Sequence, residues 1–368
     1  MSYAFDQLTL HQFRGIQELE LSGLGRFNLL VGKNNSGKTS VLEALALYCS
    51  PLDLATWVAA ARRREPPPHS RIHPARQLRW LFPQRPDLVR DTPYAGDIRL
   101  SASGAFEIRE VRAHLDEIRA IVVRPDEELQ GYVTTGDLAP GSRLEVHVRM
   151  ESATSPGQTR ELVHPFTIME SGETRVPTIE GAPEAKGRVI APYAHWVISL
   201  EGLFSEAVRQ GYRDAAVELM RSLGIRVEHA EVFSDAGVPV LYLRDSRAGF
   251  LPISSFGDGV RRALLLALSI PLAAKGVLLI DELETAIHVS MLGKVFNWVL
   301  KACHEHDVQI VATTHSLEAI DAILGADTTP REDVIAFRME RANGRLGVKR
   351  FGEETLKHLR NEMGLDVR

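Results

Sequence analysis

Cysteine is almost absent. Cys49 and Cys303 are the only two in 368 residues, far apart and in no CxxC or Cys/His spacing. That excludes a disulfide framework and a zinc ribbon, and it fits a reducing compartment. A strongly basic balance is missing too: the net charge is −5, so any contact with nucleic acid must come from a local basic patch. No apolar run is long and unbroken enough for a membrane span. The most apolar stretch, Ala263 to Ile280, is divided by Pro271, Lys275 and Gly276 and reads as a buried helix, a turn and a buried strand. The opening MSYAFDQLTLHQF lacks the charged start and apolar run of a signal peptide. These absences lead to the expectation of a soluble, cytoplasmic protein with no membrane partner. Heptads, internal repeats and low-complexity tails are likewise lacking. With 44% hydrophobic and 25% charged residues, the chain is long enough to bury a large core, which excludes disorder as its main state.

The pattern along the chain gives an α/β organisation. Leu8 to Phe13 and Phe27 to Val31 read as strands, and Ser40 to Tyr48 reads as a helix with Val41, Leu45 and Tyr48 on one face. Residues 62–90 change character, with prolines at 66–68 and eight arginines, and read as a loop-rich insertion. From Ile98 to Ile168 the period is mainly two, with turns such as Ala139-Pro140-Gly141, so an antiparallel, partly exposed sheet is expected. Glu201 to Leu223 reads as one helix stopped by Gly224. Strands then alternate with helices, which implies a mixed, mostly parallel sheet. The expected divisions are 1–60 (strands, a glycine loop and a helix), 61–95 (Arg/Pro-rich insertion), 96–200 (β-rich), 201–345 (helices and alternating strands) and 346–368 (a tail helix).

Four motifs carry chemistry. Gly32-Lys33-Asn34-Asn35-Ser36-Gly37-Lys38-Thr39 is a GxxxxGK[ST] loop between an apolar strand and a helix, the context in which such a loop cradles phosphates. Its backbone N–H groups and the helix N-terminus favour phosphate oxygens; Lys38 reaches the β and γ phosphates and Thr39 offers a hydroxyl to Mg²⁺. In Val277-Leu278-Leu279-Ile280-Asp281-Glu282, two carboxylates emerge from the C-terminal end of a strand buried on both faces, where open α/β sheets bind ligands. Asp281 suits the Mg²⁺ shell and Glu282 the orientation and deprotonation of a water. Thr313-Thr314-His315-Ser316 ends another buried strand, where His315 can hydrogen-bond a γ-phosphate and the attacking water. Ser254 to Arg262, with its serines and glycines ahead of an apolar helix, makes a second anion-binding point.

Phe13-Arg14-Gly15, the phosphate loop, Ser254–Arg262, Asp281-Glu282 and His315 occur in that order, and the chain thereby resembles the ABC-type ATPase heads of the SMC/RecF/OLD group. The likeness is greatest to stand-alone OLD-like AAA-family ATPases, as IDELETAIHVS (Ile280 to Ser290) and GLDVR (Gly364 to Arg368) also suggest; it covers 1–50 and 250–325 and hardly touches the middle. The resemblance implies a P-loop NTPase fold with an inserted antiparallel region, ATP and Mg²⁺ as cofactors, and two composite sites formed in a dimer. It implies that Gly32, Asn34, Asn35, Ser36, Gly37, Lys38, Thr39 and Ser40 bind nucleotide and that Thr39 and Asp281 hold Mg²⁺. Glu282 becomes the catalytic base, His315 the switch histidine, and Ser255, Gly257 and Asp258 the signature acting on the partner's nucleotide. Arg14 is expected to touch the nucleotide.

The resemblance has gaps. Phe256 stands where the signature usually has its first glycine, and the Q-loop glutamine is not placed, with Gln77 and Gln84 as candidates. Only 53 residues follow His315, with no Asp-x-Asp, so the chain is not expected to be the Toprim nuclease itself. An effector encoded separately, for instance a Toprim-type nuclease, is the implied partner, in DNA repair or defence against phage. Two rival readings stay open: a nucleotide-locked scaffold that holds a toxin or nuclease inactive, and the ATPase subunit of a transporter. The arginines at 62, 63, 64, 71, 76, 79, 85 and 90, with Trp80 and Phe82 among them, could track nucleic acid or simply be solvated. Cys303-His304-Glu305-His306-Asp307 lacks metal-ligand spacing and reads as a solvated helix end.

Overall fold

The computed structural model describes residues 3–62, 72–84, 93–126, 131–152, 157–170, 185–326, 333–342 and 345–368, with a few single positions between 155 and 183. Strands β1 (Gln7–Phe13) and β2 (Ile16–Ser22) form a hairpin, and β3 (Phe27–Val31) leads through a glycine loop into α1 (Lys38–Cys49). Helices α2 (Leu54–Arg62) and α3 (Pro74–Leu78) precede β4 (Ala95–Ser103), β5 (Ile108–Asp126), β6 (Gly131–Glu151) and β7 (Thr159–Met169). After β8 (Gly187–Ile190) come α4 (Ala194–Val197), α5 (Leu200–Arg209), α6 (Arg213–Ser222) and the strands β9 (Val227–Asp235), β10 (Val238–Asp245) and β11 (Gly249–Pro252). The chain continues with α7 (Asp258–Leu272), β12 (Val277–Ile280), α8 (Val289–Glu305), β13 (Gln309–Thr313), α9 (Leu317–Leu324), β14 (Val334–Ala342), β15 (Arg345–Gly352) and α10 (Glu353–Lys357).

The architecture is α/β. The central sheet runs β15-β14-β3-β13-β12-β8 and is parallel except at β15; the sheets β2-β1-β4-β5-β6-β7 and β11-β10-β9 are antiparallel. Alternate residues of the central strands feed two separate cores. Leu29, Leu278, Ile280 and Ile310 pack with helices α5 to α9, whereas Leu30, Val277, Leu279 and Val311 pack with α1 and the large antiparallel sheet. Both faces are thus covered, which is why Phe27–Val31 and Val277–Ile280 are unbroken apolar runs. Helix α1 lies between two sheets, and every residue of it except Thr39 is buried. It is therefore buried all round rather than along the single face that Val41, Leu45 and Tyr48 suggest.

Other local expectations need correction. Residues 201–223 form two helices, α5 and α6, because Gly211 turns the chain at φ +86°. Ala139, Pro140 and Gly141 are not a turn; they pair inside β6 with Ala120, Arg119 and Ile118. Pairing with β7 begins only at Gly141, so the missing N–H of Pro140 interrupts no ladder on that side. Residues 346–352 are strand rather than tail helix: β15 pairs antiparallel with β14 across eight positions, and helix follows only from Glu353.

Candidate functional site

The parallel strands β3, β12 and β13 end together, and the loop leaving β3 is wound tightly. Gly32 has φ +140°, and a Cβ there would lie 2.5 Å from the carbonyl oxygen of Met339. Asn35 (φ +61°) and Gly37 (φ +90°) also take left-handed conformations before α1 begins. Lys33, Asn34 and Asn35 are exposed, while Ser36, Lys38 and Ser40 are buried. Lys38 folds back across the loop and donates from Nζ to the carbonyls of Gly32 (2.7 Å) and Lys33 (2.8 Å). Burial pulls its ammonium below the ordinary lysine value, with Asp281 and Glu282 opposing that shift.

The strand-end acids meet this loop. The Asp281 carboxylate accepts from Thr313 Oγ1 at 2.7 Å and from Thr39 Oγ1 at 3.3 Å, and Glu282 N–H donates to Thr313 Oγ1 at 2.8 Å. Thr313 thus sets both acids from the neighbouring strand. Glu282 is exposed and takes φ +50°, which turns it out of the strand; its Oε2 accepts from Thr285 Oγ1 at 3.1 Å. Beneath them Arg262 is fully buried and donates to the carbonyls of Ala191 (2.7 Å), Asp281 (3.3 Å) and Glu282 (3.3 Å). Desolvation lowers that guanidinium to about 10, against the pull of Asp281, Glu282 and Glu284.

His315 sits one strand away, half-buried, with its imidazole pushed below the usual histidine value by burial first and Lys38 second. Its backbone N–H donates to Glu284 Oε1 at 2.9 Å. The residues missed at the sequence level are therefore Thr313, Glu284 and Arg262, which hold the three candidate groups rather than present themselves. The doubled threonine at the end of β13 and the second acid of Asp281-Glu282-Leu283-Glu284 are the only local signals.

The Ser254–Arg262 segment opens α7. Ser255 and Gly257 are exposed and Asp258 is half-buried in the first turn. A Cβ at Gly257 would meet open space, whereas one at Gly259 would lie 2.9 Å from the carbonyl of Ala286, so Gly259 is the glycine that close packing requires. Phe256 packs partly buried against the core and anchors the segment. Among the described residues, no hydrogen bond ties Ser255, Gly257 or Asp258 to the glycine loop of the same chain.

Arg14 is tied down within the chain. Its guanidinium pairs with the fully buried Glu43 of α1 at 2.7 Å and donates to the carbonyls of Trp80 (2.9 Å) and Ala60 (3.4 Å), which makes it a bracket between α1 and the segment after α2. The Q-loop candidates serve local structure: Gln77 accepts from Arg62 at 2.7 Å, and Gln84 donates to the carbonyls of Arg79 and Phe82. Of the arginine-rich insertion, Arg63, Arg64, Arg71, Arg85 and Arg90 lie outside the described residues. Arg76 and Arg79 are paired with Glu170 and Glu117, Trp80 is exposed and Phe82 is buried. Cys303 is fully buried rather than solvated, and among the described residues no cluster of metal-binding side chains occurs. No helix among them is long and apolar enough to cross a membrane.

Comparison with known proteins bears on this arrangement. Residues 199–321, which include the Ser254–Arg262 segment, Asp281-Glu282 and His315, match the family described as "AAA domain, putative AbiEii toxin, Type IV TA system". Uncharacterized protein MJECL11 of Methanocaldococcus jannaschii is 31% identical over 112 residues, which is 30% of this chain and 98% of that protein. This chain belongs to that protein's family. It is a P-loop protein with an AAA-type ATPase domain. Shorter segments match uncharacterized protein MJECL10 of the same archaeon, 57% identical over 44 residues, and the DNA replication and repair protein RecF of Edwardsiella ictaluri, 52% identical over 42 residues. The chain spans only 20% and 12% of those two proteins. Among solved structures, an SMC head bound to the C-winged helix domain of ScpA aligns over 96% of this chain and 99% of its own, at 11% identity and a TM-score of 0.49. The SMC head with an extended coiled coil from Pyrococcus furiosus aligns over 99% and 100%, at 11% identity and a TM-score of 0.45.

Proposed function

We propose that the chain binds Mg-ATP at Gly32–Ser40 and hydrolyses it, and that ATP closes two copies into a dimer which controls a partner. The observation that carries this reading is the convergence of Thr39, Asp281 and Thr313 at the mouth of the glycine loop, with Glu282 beside them. A hydroxyl and a carboxylate oxygen 3.3 Å apart are the hard oxygen donors that Mg²⁺ takes alongside nucleotide phosphates. Thr39 and Asp281 would hold it there, and it would offset charge on the β and γ phosphates.

The remaining steps belong to the chain itself. Lys38 exchanges its two loop carbonyls for phosphate oxygens, which returns a desolvated ammonium to an anionic partner. Gly32, Asn34, Asn35, Ser36 and Gly37 supply N–H groups around the phosphates, and Ser40 supports the first turn of α1. Glu282, turned out of its strand and exposed, accepts the proton of the attacking water. Neutral His315 orients that water and the γ-phosphate. Ser255, Gly257 and Asp258 cover the partner's nucleotide, so the site is complete only in the dimer. Arg14 acts through Glu43 on α1 rather than on the nucleotide.

The RecF segment and the toxin-type family description support placing the effector in DNA repair or phage defence, with a separately encoded protein such as a Toprim-type nuclease as its chemistry. Phosphate release by the wild type, Lys38→Ala and Glu282→Gln tests the core of the proposal. The wild type should turn over ATP only with Mg²⁺, and Lys38→Ala should lose nucleotide binding. Glu282→Gln should bind ATP but lose roughly 10²–10⁴-fold in kcat. A Glu282→Gln enzyme as fast as wild type would remove Glu282 from the base role.

A further inference from the structure

The segment 364–368 returns to the end of β13 and joins it. Arg368 Nη1 donates to the carbonyl oxygen of His315 at 2.7 Å. The guanidinium is itself fixed: Nε and Nη2 bind the two carboxylate oxygens of Asp366 at 3.0 and 2.9 Å. Val367 between them is 2% exposed and belongs to the core under α5–α9. A second arginine ties the other end of the segment down. Arg360 grips Asp321 of α9 with two bonds of 2.8 and 2.7 Å and donates to the carbonyl of Leu365 at 2.7 Å. The ring of contacts thus runs from His315 through Arg368, Asp366, Leu365 and Arg360 to Asp321, and returns through α9 to His315.

The His315 peptide is consequently held on both sides, its N–H by Glu284 and its C=O by Arg368. Arg368 also forms part of the wall of a cavity of about 500 Å³ that runs along Gly32–Ser36, with Arg338 and Arg341 in the same wall. It therefore touches the strand end that carries the histidine and faces the space beside the phosphate loop. Holding the N–H and the C=O on either side of the His315 Cα fixes its backbone, and with it the direction of the Cα–Cβ bond that carries the imidazole. A displacement of about 1 Å at a reacting group can cost roughly 10²-fold in rate.

We infer that Arg368 is a positioning residue for His315, through which the segment 364–368 controls turnover without taking part in nucleotide binding. This rests on the ATPase reading above. In that role Asp366 keeps the guanidinium planar to its target, and Arg360 with Asp321 keeps the segment docked on α9. A lysine at 368 can still donate one hydrogen bond, although it loses the two-point grip on Asp366.

The test is steady-state ATP turnover of the full chain as wild type, Arg368→Ala, Arg368→Lys and Asp366→Asn, with far-UV circular dichroism as a check on folding. Arg368→Ala should lower kcat by about tenfold or more while KM stays within about twofold, because the peptide that carries His315 is freed but the phosphate loop is untouched. Arg368→Lys should recover a substantial part of kcat, and Asp366→Asn should fall between lysine and wild type. An unchanged kcat in Arg368→Ala would overturn the inference. So would a rise in KM alone, which would make Arg368 a binding residue. If Arg368→Ala does not fold, Arg368→Lys and Asp366→Asn carry the same comparison, and wild-type kcat in both overturns it. A wild type with no ATP turnover would instead remove the underlying function.

Discussion

Thr313 Oγ1 lies 2.7 Å from Asp281 Oδ1 and accepts the backbone N–H of Glu282 at 2.8 Å, so one hydroxyl on β13 sets two consecutive acids on β12. Parallel pairing of the two strands, with Ile280 opposite Ala312, makes that reach possible. Removing the hydroxyl frees the carboxylate that we propose as a Mg²⁺ ligand. Thr313→Val should therefore raise the Mg²⁺ concentration needed for half-maximal turnover by roughly 10-fold or more, the usual loss when a ligand's own partner is deleted. A Mg²⁺ titration that superposes on wild type would contradict this.

Arg14 and Glu43 make a different kind of prediction, about stability. Glu43 is wholly buried, and its carboxylate meets the Arg14 guanidinium at 2.7 Å. Arg14→Ala strands that carboxylate and should cost about 3–5 kcal/mol in denaturant unfolding. The double variant Arg14→Ala/Glu43→Gln should regain part of the loss. Equal stability of Arg14→Ala and wild type would return Arg14 to a direct role at the nucleotide.

The acid limb of activity should report His315. Burial and the Lys38 charge hold its imidazole below the ordinary value near 6.5. A group so shifted stays neutral through neutral pH and gains its proton only below that value. The kcat/KM profile should then be flat at neutral pH and fall below about 6.5, and His315→Ala should abolish that fall along with most of the rate. A limb at that value would mean that the histidine is solvated, and one above it that the histidine is paired with an acid.

Gly32→Ala tests the loop backbone. At φ +140° an added methyl is strained, and it would also sit 2.5 Å from Met339 O. The variant should lose about 1–3 kcal/mol of stability and bind ATP poorly. Wild-type melting and nucleotide affinity would show that the loop can rearrange freely.

Much of this arrangement is legible in the sequence because its parts are local. Phe27–Val31 and Val277–Ile280 must be buried on both faces, so the glycines after one and the acids after the other are forced to the same edge of the sheet. Gly211 is less legible: its left-handed turn divides a stretch whose apolar period continues on both sides, and periodicity alone does not see the break. Pro140 reads as a turn, yet it falls where β6 has no ladder on one side to interrupt. The partners of the site residues are least legible of all. Glu284 with His315, Thr313 with Asp281, and Arg14 with Glu43 are tertiary contacts across 31, 32 and 29 positions, and no spacing rule announces them. Arg14 shows the same thing, since only folding brings the buried carboxylate of Glu43 within its reach.

The most direct test of the account is the solution mass of Glu282→Gln by light scattering, with and without Mg-ATP. Blocking the base should leave ATP bound, and the protein should pass from monomer to dimer only when Mg-ATP is present. A mass that stays at one chain with Mg-ATP bound, or a dimer that forms equally without nucleotide, would contradict the composite site at the centre of the proposal.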